Sequence, residues 1–413
     1  MSDFPDRHER RNFLLNVAEG ALWVAGASFM SAQTVLPALI TRLGGGNIGV
    51  GAVGVILWVG LFLPQIFAAR YSQALPWKKP WAIGFGAAQR VVVLLIAIVI
   101  IVWGESSPGA ALVLFLVLYT ANQVILGITT PGWFDLLAKL TPLKKRGRLT
   151  GIRNSIAGCL AFLCGLLLTW LLSSQQFPLS YGIAFLCAFL LQAASIVVQT
   201  RLVEEQPSPA LPRLPVGDYL SRLPRVFDEN PEFKAFIGTS VVLIVASMPV
   251  SFFTIYALDR FQADESAVGQ FTLAIVAAQV VSALANGFVA DRFGNRIVLI
   301  CAAIAMLCAS AAALLAPSLA WFMVVFLFVG INLGSELMAR YNIAIEYGPV
   351  EQRSTYIGLM NTILAPFYLA GLLGGLISNA FGYHTLFIIG IAASLVGTGL
   401  LVWRVRDPRT FHH

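Results

Sequence analysis

The chain has 413 residues, of which 58% are hydrophobic and 11% charged, against about 25% charged in a soluble domain. Mean hydropathy is +0.80. These values exclude a soluble fold and leave a polytopic membrane protein. The net charge of +7 does not point to nucleic acid, because the basic residues fall in short gaps between apolar runs, where topology accounts for them.

The polar start Met1–Asn12 leads into an apolar run, 13–40, that is too long for a cleavable signal core and reads as a retained span. Eleven more runs follow, at 48–72, 79–103, 109–138, 150–173, 178–201, 234–258, 266–290, 295–316, 319–346, 354–380 and 383–404. Each is long enough to cross a bilayer, which takes roughly 20 residues. Each should be a helix, since a helix satisfies its own backbone in lipid. The expected fold is an all-α membrane protein of twelve transmembrane helices. Of the 27 basic residues, Arg42 and Arg260 fall in outer loops and Arg90 and Arg340 inside spans; the others lie in the tails and inner loops, Arg153 among them at the loop between spans four and five. That bias puts both termini in the cytoplasm.

The long connection 202–233 carries Pro207, Pro209, Pro212, Pro215 and Pro224. It separates two six-span bundles, 1–201 and 234–413. Within it, Val216, Tyr219, Leu220, Leu223 and Phe227 recur at helical spacing, so it reads either as an amphipathic piece on the membrane surface or as a solvated linker. The two halves repeat. Pro142, Arg146 and Gly151 after span four match Pro349, Arg353 and Gly358 after span ten, at one constant offset. Leu126-Gly127 and Leu333-Gly334 keep that offset, as do Asp135 and Asn342. Two parallel six-helix halves are a known transporter plan.

Between spans eight and nine runs Gly287–Arg296, G-F-V-A-D-R-F-G-N-R. It resembles the short-loop signature of the major facilitator superfamily, G-x-x-x-D-R-x-G-R-[KR]. Gly287, Asp291, Arg292, Gly294 and Arg296 fit, and Asn295 replaces the first basic residue of the final pair. Loop 2–3, the corresponding place in the first half, offers Pro64-Gln65 and Ala69-Arg70 but no acidic residue. The resemblance covers almost the whole chain. It implies two pseudo-symmetric bundles around a cavity that opens alternately to each side, lined by spans 1, 4, 7 and 10. It also implies that the loop helps hold the halves together at the cytoplasmic face, with Asp291 near Gly151–Ser155 and Arg296 meeting Glu346.

A charge at mid-membrane costs at least about 2.5–3.5 kcal/mol, so such residues need a reason. In span ten Asn332, Glu336 and Arg340 stand four apart and share one face. Two readings fit: a self-satisfied pair that holds the bundle together, or a cavity-facing pair that binds substrate or exchanges a proton. Span one carries Glu19, with Asn16 and Trp23 on the same stripe; a carboxyl in low dielectric suits a protonation switch. Arg90 reads as half of a buried pair with Glu19 or Asp135. Span four offers Gln123, Gly127, Thr130 and Phe134, and span seven Ser240, Ser247, Ser251 and Thr254. Pro131, Pro249 and Pro366 are expected to introduce kinks.

Cys159, Cys164, Cys187, Cys301 and Cys308 all lie in apolar runs and read as buried thiols. No metal-ligand or Walker spacing is present, so no metal, no cofactor and no ATPase are expected. Neither a G-x-S-x-G nor paired histidines support a membrane enzyme. The reading that remains is a monomeric secondary transporter in the lipid bilayer, moving a small organic solute with protons or another coupling ion. The competing one is a transporter-like sensor or scaffold.

Overall fold

The computed structural model describes residues 8–208, 226–348, 353–407 and 409, and in these every regular element is helical. The first unit holds α1 (Glu9–Ser28), α4 (Lys79–Trp103), α5 (Pro108–Leu140), α6 (Leu143–Ser174) and α7 (Leu179–Thr200). The second holds α8 (Pro231–Ala246), α9 (Val250–Phe261), α10 (Ser266–Phe293), α11 (Asn295–Leu315), α12 (Leu319–Tyr347), α13 (Arg353–Leu364) and α14 (Ala370–Trp403). Two helices from the first half, α2 (Val35–Arg42) and the early part of α3 (Asn47–Gln73), also pack into the second unit. By contacts the units are Met1–Ser31 with Gly60–Leu214, and Ala32–Val59 with Pro215–His413.

Among the described residues, 10 helical stretches are long and apolar enough to cross a membrane. The difference from twelve runs has local causes. Span one, expected as one helix, stops at Phe29 and restarts at Val35. Span seven is also kinked between Ala246 and Val250, where Pro249 contributes no N–H to the preceding turn, but it still counts as one stretch, Pro231–Phe261. The last two spans run together through Gly382, whose φ is +80. The expected kinks divide likewise: Pro366 lies in a 3-10 turn, Ala365–Leu369, while α5 continues past Pro131. The amphipathic reading of the linker falls mainly on 209–225, and Pro349 of the repeat on 349–352; both lie outside the described residues.

Residues 33–51 are fastened within the second unit. Thr254 donates to the Gln33 carbonyl (2.9 Å), Thr34 and Thr272 share a buried hydroxyl pair (2.6 Å), and Tyr383 donates to Asn47 (2.7 Å). Arg42 pairs with Glu265. Gly51 and Gly371 let two backbones meet: a Cβ on Gly51 would stand 2.1 Å from the Gly371 carbonyl oxygen.

The repeat after span four has a structural meaning. Pro142 precedes the first turn of α6, and Arg146 turns back to the carbonyls of Ala138 (2.6 Å) and Thr141 (3.1 Å). A cation at a helix C-terminus satisfies its free carbonyls. Asp135 and Asn342, equivalent by sequence, do equivalent work. Asp135 accepts from Ser72 (3.5 Å) at the end of α3, and Asn342 donates to Asn295 (3.1 Å) at the start of α11.

Gly294 alone separates α10 from α11, with φ +92 and ψ 158. Side chains avoid that region at a cost of about 1–3 kcal/mol. A Cβ there would also press on Arg409 and Asp407. Gly294→Ala is therefore expected to destabilise by about 1–3 kcal/mol, read as a lower unfolding midpoint in detergent. An unchanged midpoint would mean that the turn tolerates a side chain.

Candidate functional site

The clearest site lies in the second unit. Arg340 is 3% exposed, about two turns before the end of α12, and pairs with Glu336 one turn earlier. Its Nη1 donates to the Tyr368 hydroxyl at 3.0 Å, and its Nε is buried with no hydrogen-bond partner among the described residues. Tyr368 stacks on Trp58, centroids 5.2 Å apart and planes 24° apart. The Glu336 side chain keeps 18% exposure. It also borders a void of about 10 Å³ walled by Leu243, Ala246, Leu299, Ala303, Met306 and Asn332, room for about one water. A mutually neutralised pair lowers the cost of two intramembrane charges. The missing Nε bond shows that the guanidinium's capacity is only partly used.

Asn332 shares the helix face of Glu336 but is otherwise occupied, donating to the Ala302 carbonyl (3.1 Å) and so tying α12 to α11. Glu346 accepts from Asn295 (2.6 Å). Arg296, expected to meet Glu346, instead donates to the carbonyls of Leu401 (3.0 Å) and Val402 (2.6 Å) near the end of α14. Successive residues of a helix point about 100° apart. At the start of α11, Asn295 therefore takes the direction of α12 and Arg296 that of α14. Gly287, Asp291 and Arg292 are exposed, and a Cβ on Gly287 would meet nothing within 4 Å.

The first unit has its own buried charge cluster. Glu19 on α1 is 4% exposed. It receives Arg153 Nη2 (3.4 Å), Ser195 Oγ (3.5 Å) and a bond from Trp133. Arg153 also lies over the Trp133 ring, 4.5 Å from its centre. Expected in an inner loop, Arg153 belongs to the body of α6 and reaches into the bundle. Gly20 makes this possible: a Cβ there would stand 1.4 Å from Arg153 Nε. Arg90 adds its charge to Glu19, but its hydrogen bonds go to the carbonyls of Gln192 (3.2 Å) and Gly86 (3.1 Å) and to Gln89 (2.7 Å).

Other predicted residues are placed as packing. Asn16 is buried and donates back to the Asn12 carbonyl (3.0 Å). Trp23 is half-buried. Gln123 is buried against Gly60 and bonds the Tyr119 hydroxyl. Phe134 points outward, and Thr130 and Ser247 bond carbonyls of their own helices. The thiols are not buried as expected: Cys159 and Cys301 are exposed and the other three half-buried.

Sequence reasoning missed Arg153, Trp133, Tyr368 and Trp58. Arg153 was findable, since it stands seven residues beyond Arg146 and inside an apolar run. Nothing in local spacing announces the other three.

Residues 235–412 match the Major Facilitator Superfamily model. The niacin transporter NiaP of Acinetobacter baylyi is 32% identical over 111 residues, 27% of this chain and 25% of that protein. The 4-hydroxybenzoate transporter PcaK of the same species is 30% identical over 152 residues, 36% of this chain and 33% of that protein. The matched stretches thus span a quarter to a third of these relatives. The fold extends further. A POT family transporter superposes with TM-score 0.72 at 11% identity, covering 96% of both chains. The nucleoside transporter NupG gives 0.69 at 13%, covering 95% of this chain and 98% of that one. The family and these relatives are transporters, not enzymes. The chain is a multi-pass membrane protein whose second half matches the Major Facilitator Superfamily model and whose fold is similar to those solved transporters.

Proposed function

We propose that this protein is a secondary active transporter that moves a small organic solute by alternating access, coupled to protons. The observation that carries this reading is the pair of buried Arg340 with half-buried Glu336. Ionisable residues within a span are expensive, and where they occur they mark solute or proton pathways. A carboxyl beside a water-sized void can exchange a proton, and the guanidinium beside it can hold a polar group. The named relatives, transporters of niacin and of 4-hydroxybenzoate, support a small organic solute. Twelve spans with both termini cytoplasmic, in a bacterial inner membrane, complete the reading; its support is the basic-residue bias and the bacterial source of those relatives. Proteoliposomes with an imposed pH gradient test it. Solute should accumulate against its gradient and collapse with a protonophore. Flux equal to that of protein-free vesicles across a broad solute panel would sink the reading.

The loop Gly287–Arg296 is proposed as the cytoplasmic gate, with Asp291 its acidic member. Loop 2–3 supplies no counterpart acid, so the gate is lopsided. Asp291→Asn should raise cytoplasmic accessibility to a thiol reagent more than Arg70→Ala does. Equal effects would remove the asymmetry.

A further inference from the structure

We propose that the groove between α6 and α7 is a lipid site, which holds one hydrocarbon chain of a bilayer phospholipid against the end of α1. The site is separate from the span-ten pair and does not depend on what the protein carries.

The packing of the first unit makes the groove. Helices α6 and α7 each lie along α1 but touch one another much less. The space left between them has a volume of about 390 Å³, within the range of roughly 300–1,000 Å³ found for ligand pockets. Buried Ala25 and Phe29 lie at its bottom, where α1 ends. The half-buried thiols of Cys164 and Cys187 stand on its two walls, and exposed Leu163 and Leu190 form its rims. Along α1 it runs from Leu22 to Phe29, and along α6 from Leu160 to Leu167, about 10 Å in each case.

Its depth places it in the hydrocarbon layer. From Asn154 to Thr200 the chain has no Asp, Glu, Lys or Arg, as a lipid-facing surface requires. Exposed Trp170, near the outer end of α6, suits the membrane interface. Leu163 lies seven residues further in, about 10 Å along the axis, well inside a hydrocarbon core of about 30 Å.

At that depth the occupants sort by size and polarity. A buried water needs two to four polar partners. The polar atoms that line the groove are two weakly bonding thiols, and Cys164 is already bonded to Ser28, whose hydroxyl donates to the Ala25 carbonyl (2.7 Å). A helix of a second copy is too thick: two turns with side chains, which match the length of the groove, fill roughly 850–1,200 Å³. Left empty, the groove deprives its lining of contact atoms on one side. A hydrocarbon chain is thin, needs no polar partner and meets the groove on three sides. Within a bilayer such van der Waals packing, rather than escape from water, is what drives association.

The test is photolabelling of the full-length protein. Delipidated protein in detergent is titrated with phosphatidylcholine that carries a diazirine in one acyl chain, irradiated, and mapped by mass spectrometry. Label on the peptides holding Cys164 and Cys187 should saturate at a single lipid per protein and be displaced by excess unlabelled phosphatidylcholine. Label at Leu395 and Val396, exposed on α14, should instead rise in proportion to lipid content. Cys187→Trp, which fills the groove from its wall, should lose the saturable label and keep the proportional one. Three results on the unmodified protein would overturn the proposal, and none needs the variant to fold. Groove label that is absent, or that rises only in proportion to that on α14, would make the groove ordinary lipid-facing surface. Disulfide-linked dimers through Cys164 or Cys187 under mild oxidation would give it to a second copy. Modification of either thiol in vesicles by a charged, membrane-impermeant reagent would give it to water.

Discussion

Glu336→Leu is expected to destabilise the protein by about 3–5 kcal/mol, the usual cost of stripping one partner from a buried ion pair. The guanidinium of Arg340 cannot shed its charge by losing a proton. It stays cationic, 3% exposed, with the Tyr368 hydroxyl as its remaining side-chain partner. The reverse change should cost less. Arg340→Met leaves a carboxyl that one proton neutralises, so the penalty falls to that of a lost hydrogen bond, about 1–3 kcal/mol. The double change Glu336→Leu with Arg340→Met removes both charges and keeps the volume. Such replacements are often neutral or stabilising, and the double variant should fall within about 1 kcal/mol of the unmodified protein. Unfolding midpoints in detergent for the four proteins close the cycle and isolate the coupling. Equal cost for the two single changes would mean that Arg340 finds another anion or water on losing Glu336. A double variant as unstable as the worse single would place the value of the pair in packing rather than charge.

The same pair shows what the sequence makes readable. Glu336 and Arg340 stand four apart on a long apolar run, and helical geometry alone brings them together. Tyr368 and Trp58 come from other helices, and no periodicity connects them to α12. The spans themselves were legible because a bilayer demands long apolar runs. The break after Phe29 was not, since 29–34 reads F-M-S-A-Q-T and contains neither Gly nor Pro. The break at Pro249 carries its own signal. Around Gly287–Arg296 the turn residue was legible, because only Gly accepts the backbone of Gly294. The direction of each side chain was not. Whether Asn295 or Arg296 meets Glu346 depends on where α11 begins, and one residue of shift exchanges their roles. Arg153 failed for a related reason. Its neighbours Lys144, Lys145, Arg146 and Arg148 look like an inner loop, yet α6 already starts at Leu143. Ten residues of helix place Arg153 about 15 Å along the axis, level with Glu19.

Gly20→Ala should silence Arg153 without touching its charge. A Cβ at position 20 would occupy the space of the guanidinium, 1.4 Å from Nε. The side chain is long, so it can swing away at little steric cost. In swinging it leaves both Glu19 and the Trp133 ring, the two groups that hold it. The variant should therefore behave as Arg153→Gln does, and the two changes together should cost no more than Arg153→Gln alone, a failure of additivity expected of residues in direct contact. Glu19→Gln is the harsher lesion. It leaves Arg153 and Arg90 both cationic with their shared carboxylate gone, and is expected to cost about 3–5 kcal/mol. Arg90 is partly protected, because its own hydrogen bonds run to Gln192, Gly86 and Gln89. Adding Arg153→Gln to Glu19→Gln should then recover stability, since it removes the cation left uncompensated. Thermal midpoints of the four variants, with proton-driven uptake measured alongside, separate the cases. Additive losses for Gly20→Ala and Arg153→Gln would show that Gly20 serves helix packing instead. A further drop when Arg153→Gln is added to Glu19→Gln would assign Arg153 to Trp133 rather than to the carboxylate.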